Sequence, residues 1–276
     1  MNASGVSAEA GRLGRKAERS DLLDHAVRVG LVAYGVVHLL IAWLAAQLAF
    51  GDGAGSASGS GALSELAQKP FGLVLLWVVG VGFFALVVWQ VIEALLGHRD
   101  EDGLHRVFKR LGSAGKAGVY GVLGVTALKI AIGSGGSGGD DTDTLTSRLM
   151  SLPFGTWLVA AVGAVVLVVA GAHVYRGLTD KLRDRLKPTG STGNSGRLYI
   201  GLGRVGFVSK GISLAVVGGL FIYAAWTHDP DKSGGLDQAL KTVLEQPFGA
   251  LLLVLIAAGL ACYGLFCFAW ARHLDR

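Results

Sequence analysis

Six long apolar runs alternate with short polar stretches along the chain, at about 27–50, 71–96, 114–132, 154–177, 200–226 and 248–271. A helix of roughly twenty apolar residues crosses the ~30 Å hydrocarbon core of a bilayer. The pattern therefore predicts six membrane-spanning helices. The third run is short and carries Lys116 and Lys129. No polar stretch between the runs exceeds about thirty residues, which leaves no room for a separate extramembrane domain. The first run is long, follows a polar tail and lacks a small-residue cleavage site, so it reads as an uncleaved anchor rather than a signal peptide.

Composition agrees: 51% of the 276 residues are hydrophobic and only 16% charged, which excludes a soluble globule. The basic residues fix an orientation. Arg12, Arg15, Lys16, Arg19 and Arg28 precede or open the first span, and Arg99, Arg106, Lys109 and Arg110 lie between spans two and three. Lys181, Arg183, Arg185, Lys187, Arg197 and Arg204 separate spans four and five, and Arg272 and Arg276 end the chain. The other loops hold only Lys69, Arg148, Lys232 and Lys241. Every second loop is basic, so both termini are expected in the cytoplasm, with the protein multi-pass in the plasma membrane. The net charge of +5 calls for no nucleic acid; a basic rim facing anionic lipid accounts for it. Cys262 and Cys267 point about 140° apart on one helix, so no disulfide joins them.

A tripeptide recurs where three of the spans begin: Pro70-Phe71-Gly72, Pro153-Phe154-Gly155 and Pro247-Phe248-Gly249. Upstream stand Arg28-Val29-Gly30, Arg110-Leu111-Gly112 and Arg204-Val205-Gly206, at arginine-to-proline distances of 42, 43 and 43 residues. These marks define three two-helix repeats. The expected organisation is a cytoplasmic tail 1–26, repeat one at 27–97, repeat two at 98–178, a basic linker 179–199 and repeat three at 200–272. Repeats with an even number of spans share one orientation, so an axis along the membrane normal relates them. The expected fold is an all-α integral membrane protein, six transmembrane helices in a pseudo-threefold bundle.

Each outer loop passes from small or acidic residues into a short amphipathic stretch, with Leu63 and Leu66, Leu145 and Leu149, and Leu240 and Leu244 at helical spacing. These predict helices lying on the outer membrane surface. The cytoplasmic stretches 100–111 and 178–187 have a similar pattern. Proline suits a first helical turn because its missing N–H would be unsatisfied there. It also forces the preceding residue out of helix. The tripeptide is expected to be a corner with proline in the first turn, phenylalanine at the interface and glycine admitting a neighbouring backbone; a direct ligand role is the competing reading. Glycines such as Gly80, Gly118, Gly163, Gly211 and Gly219 are expected at helix contacts.

The odd spans carry polar faces. Six residues past each arginine come Tyr34, Lys116 and Lys210, and four further come His38, Tyr120 and Leu214. An i, i+4 pair shares one helix face. Intramembrane ionisable groups are functional candidates, and these residues would suit a basic cavity for an anion or lipid headgroup, or a proton relay. The plainer reading has the lysines snorkelling to the inner headgroups and His38 bonding a neighbouring carbonyl. At the inner ends of the even spans Glu93 and Arg176 match, with Gln90 and His173 three residues earlier. Glu93 is expected to pair with Arg176 or with a repeat arginine, and with Arg176 it reads as a structural tie rather than a catalytic pair.

The threefold Arg-x-Gly helix with Pro-Phe-Gly opening its partner resembles a bacterial membrane family known as domain of unknown function 1206, over about 25–272. That resemblance implies a triplicated pair of transmembrane helices and carries no activity or site residues. The second repeat departs from the others by Ala117, where they have Gly35 and Gly211. Three two-helix repeats also look like mitochondrial carriers, but the carrier signature is missing. Metalloprotease, Cys-x-x-Cys, nucleophile-elbow and Walker motifs are likewise missing, so neither enzyme activity, cofactor nor metal is expected. Two functions fit: a structural membrane protein binding anionic lipid or another membrane protein, or a small transporter or channel whose path passes Lys116, Lys210 and His38.

Overall fold

The computed structural model describes residues 21–51, 55–97, 103–134, 142–180 and 192–274, with Leu182 and Leu186 between the last two. The polar tail to residue 20, half of the 178–187 stretch and the middle of the second outer loop lie outside the described residues. The described chain forms α1 (Asp21–Ala49), α2 (Gly59–Ala67), α3 (Gly72–Leu95), α4 (Gly103–Ala131) and α5 (Thr142–Met150). It continues through α6 (Gly155–Leu178), α7 (Gly193–Thr227), a 3-10 turn at Pro230–Lys232, α8 (Leu236–Leu244) and α9 (Gly249–Arg272).

Five of these helices, α1, α3, α6, α7 and α9, are long and apolar enough to cross a membrane. The chain is a multi-pass membrane protein. The third expected span falls on a helix, α4, 29 residues long, which is not among these five; Lys116 and Lys129 dilute its apolar content. It also absorbs the expected separate stretch 100–111, since the chain is helical without a break from Gly103.

The helices sort into two compact units, one holding the chain to Tyr34 with 71–135, the other 35–70 with 136–276. In the first, Phe83 and Leu86 of α3 are fully buried, with Tyr34 and Tyr120 nearly so. Gly30 of α1 sits against Leu86, where a Cβ would also meet the Gly82 carbonyl at 2.5 Å. In the second, α6 packs on α7 and α7 on α9. A Cβ at Gly206 would meet the Tyr263 backbone at 2.5 Å, at Gly211 the Ala170 carbonyl at 2.8 Å, and at Gly35 the Gly264 carbonyl at 2.9 Å. Lipid supplies little hydrophobic drive for helix association, so such close approaches carry the packing. Not every glycine serves this purpose: Gly112, Gly118 and Gly219 are exposed, with nothing within reach of an added methyl.

The corners differ from expectation in phase. Proline is not in the first helical turn. Phe71, Phe154 and Phe248 are the N-cap residues, at φ 62°, 62° and 61°, and glycine opens each helix. Gly155 N–H donates to Leu152 O at 2.8 Å and Gly249 N–H to Gln246 O at 2.7 Å. This is the pattern of a type II turn, with proline at its second position and a left-handed residue at its third. The glycine admits backbone as expected: a Cβ at Gly155 would overlap the Leu149 carbonyl, and one at Gly249 the Leu244 carbonyl.

The short helices α2, α5 and α8 form where the leucine spacing places them, but α2 and α8 turn their apolar sides to protein. Ala62, Leu63 and Leu240 are at most 1% exposed. Ser58 caps α2 by accepting from Gly61 N–H at 3.1 Å. The loop before it is tied to α8, where Ala57 N–H donates to Asp237 Oδ1 at 2.7 Å. Lys241 neutralises the same nearly buried carboxylate at 2.7 Å.

Candidate functional site

Lys210 is the middle residue of α7, about 25 Å from either helix end at 1.5 Å per residue. Its Nζ lies 3.0 Å from Nε2 of His38 on α1 and 4.2 Å from the centre of the Tyr263 ring on α9. The His38 and Tyr263 rings are themselves 4.8 Å apart. Either nitrogen can be the donor across this contact; with Lys210 charged, Nε2 accepts and the imidazole carries its own proton on Nδ1. His38 is nearly buried and Lys210 half-buried. Cys267, fully buried, lies against Gly35 in the same seam. Phe207 closes the floor, edge-on to Tyr263 at 5.1 Å.

Helix contacts put these groups together. Gly206 lets α7 approach α9 at Tyr263, and Gly35 lets α1 approach α9 beside Cys267. Lys210 is one turn beyond Gly206, and His38 nearly one turn beyond Gly35, so both side chains enter the seam that the glycines open. The charge is met by a ring face and an imidazole nitrogen, each an acceptor for a cation. This seam can hold a positive charge or pass a proton between two nitrogens. Snorkelling to the headgroups is not how Lys210 is used.

The other expected residues divide. Tyr34 and Tyr120 meet in the first unit, edge to face at 5.2 Å, with Phe83 at 6.2 Å from each. Lys116 is exposed. Gln90 and Glu93 stand in the first unit and His173 and Arg176 in the second. His173 Nδ1 donates to the Val169 carbonyl at 2.8 Å, and its ring stacks on Phe207 at 5.6 Å. Gln90 is buried.

Of the repeat arginines, Arg28 and Arg110 are half-buried and Arg204 is exposed. Arg110 donates to the Gly97 carbonyl at 3.5 Å, and Arg204 pairs with Asp180 at 2.8 Å.

Tyr263 and Cys267 were not anticipated. Tyr263 corresponds by repeat position to Leu86 and Val169, so nothing polar recurs there. Cys267 did have a signal: it lies twenty residues past its proline, as do Gln90 and His173.

Contact registers repeat as well. The residue six past an arginine meets the residue ten past another, as Tyr34–Tyr120 in one unit and Lys210–His38 in the other. Arg110 to Gly97 and Arg204 to Asp180 are one register too, since both acceptors stand 27 residues past a proline.

No solved structure matches the chain. A protein of Bacillus subtilis (strain 168) named Uncharacterized protein YxxB is 31% identical over 243 residues, 87% of this chain and 86% of that one. The family model described as Domain of Unknown Function (DUF1206) matches residues 29–97, 111–180 and 205–273. Each match begins one residue after a repeat arginine and ends past the helix opened by Pro-Phe-Gly. The chain belongs to this family, as three consecutive copies of its unit.

Proposed function

We propose that the protein is a non-enzymatic scaffold of the bacterial plasma membrane, holding anionic lipid or another membrane protein at a basic cytoplasmic end. The reading rests on one observation: Tyr34, Lys210 and His173, polar groups within the apolar helices, are spent on contacts inside the protein. Tyr34 faces Tyr120, Lys210 faces His38 and Tyr263, and His173 bonds its own helix. Arg197 and Arg272 are exposed at the basic helix ends, where each is worth ~1 kcal/mol against an anionic leaflet. Both termini lie on that side. Six spans about one pseudo-threefold axis are the arrangement we favour. Its support is the recurrence of contact registers, in which an odd helix meets the even helix of the preceding repeat through matched small residues, Gly211 with Ala170 and Gly35 with Gly264.

Thermal unfolding in a neutral detergent tests the lipid role. Phosphatidylglycerol is expected to raise the midpoint and phosphatidylcholine not to, with high salt abolishing the difference. Equal effects of the two lipids would remove the anionic-lipid role.

A second reading, transport, draws on the Lys210–His38 bond at 3.0 Å, because paired ionisable groups at such depth occur on ion and proton paths. Proton flux into liposomes is expected to match empty liposomes for the parent, His38→Ala and Lys210→Ala. Flux present in the parent and lost in both variants would replace the scaffold with a transporter.

A further inference from the structure

We infer that Phe71, Phe154 and Phe248 are bilayer-interface anchors, each ring held outward by a strained backbone into the boundary between headgroups and acyl chains. A type II turn needs positive φ at its third position, where glycine is the ordinary occupant. An L-residue there brings its Cβ against the following carbonyl. Phenylalanine occupies that position in all three repeats, at φ 61–62°. The chain gives little in return, since the three side chains are 84%, 81% and 82% exposed. Strained conformations persist where something outweighs them, and here the compensation must come from outside the chain.

The surroundings identify what is outside. Two or three residues before the phenylalanines stand the exposed polar residues Lys69, Ser151 and Gln246, with Leu152 the apolar exception at the second corner; a few residues after, the exposed side chains are apolar, as at Val74, Trp157 and Leu251. Each ring therefore marks the line where the lipid-facing surface of a span begins, the depth at which aromatic side chains are favoured. A left-handed corner directs the ring away from both helices it joins. The inference requires only that α3, α6 and α9 cross a membrane, and it is independent of any role for the basic end.

Spin labels test it. Single cysteines at 71, 154 and 248, in a Cys262→Ser, Cys267→Ser background, are examined in vesicles of phosphatidylcholine with phosphatidylglycerol. Collision with oxygen and with an aqueous nickel chelate is expected to place all three labels at one depth near the headgroup boundary, while a label at Ser151 reads as aqueous. Labels as open to the chelate as that control would overturn the proposal, and so would labels shielded from both reagents, as under a protein partner or second copy. Should the serine background not fold, Phe→Trp at each corner of the native chain gives a second readout. The added emission should be lost more to lipids brominated near the headgroups than near the chain ends. Equal loss to both, or none, counts against the anchor.

Discussion

At Lys210 several terms of similar size meet. A lysine at the centre of a helix in a bilayer costs ~2.5–3.5 kcal/mol on insertion scales. A hydrogen bond involving a charged group returns about 1.5–3 kcal/mol, and a desolvated cation over an aromatic ring about 2. The 3.0 Å bond to His38 and the Tyr263 face at 4.2 Å therefore roughly offset the charge. His38→Leu removes the acceptor and keeps the charge, so it should destabilise by about 2–3 kcal/mol. Adding Lys210→Met removes the charge as well and should recover most of that loss. Unfolding in mixed micelles by a denaturing detergent measures both; a double variant no better than His38→Leu would mean the pair is not coupled. The i, i+4 spacing that nominated Lys210 and His38 nominated Lys116 equally, yet Lys116 is exposed. Spacing fixes which residues share a helix face, but which way that face turns depends on the neighbouring helices. Tyr263 escaped notice for the complementary reason: its importance lies in what α7 and α1 bring to it.

The corner is the element most legible in the chain, because proline and glycine carry backbone meaning on their own. Its phase was not legible. Proline serves a first helical turn and the second position of a type II turn equally well, and only the hydrogen bond closing on Gly155 or Gly249 distinguishes them. The amphipathic helices were likewise legible as helices but not in what they face, since leucines at helical spacing suit lipid and protein alike. The structure gives them protein in α2 and α8. Glycine substitutions separate corner from span. Gly249→Ala forces a methyl into the Leu244 carbonyl, a backbone group that cannot rotate away, and should cost about 1–3 kcal/mol. Gly219→Ala, in open space within α7, should gain about 0.5–1 kcal/mol from helix preference. The two thermal midpoints should therefore move in opposite directions from the parent. A shift of the same sign in both would mean that the corner relaxes more easily than its geometry implies.

For the whole molecule, everything after residue 102 depends on whether α4 crosses the membrane. Its length of 29 residues, about 43 Å, is sufficient; its two lysines are the obstacle. Lys116 and Lys129 are both exposed and stand about 20 Å apart along the helix. If each reaches several ångströms toward its nearer headgroups, the apolar segment between them covers the ~30 Å core. Were α4 not to cross, the corners at Phe71 and Phe154 would lie on opposite sides, and the Arg197–Arg204 end of α7 would face outward against the charge rule. Six spans put both termini on one side; five put them on opposite sides. Alkaline phosphatase fused after Ser137 should therefore be active outside the cell, while a fluorescent protein fused after Arg276 should mature inside it. An inactive phosphatase at Ser137 together with a dark C-terminal fusion would establish five spans, and the parallel relation of the three repeats would fall with the sixth.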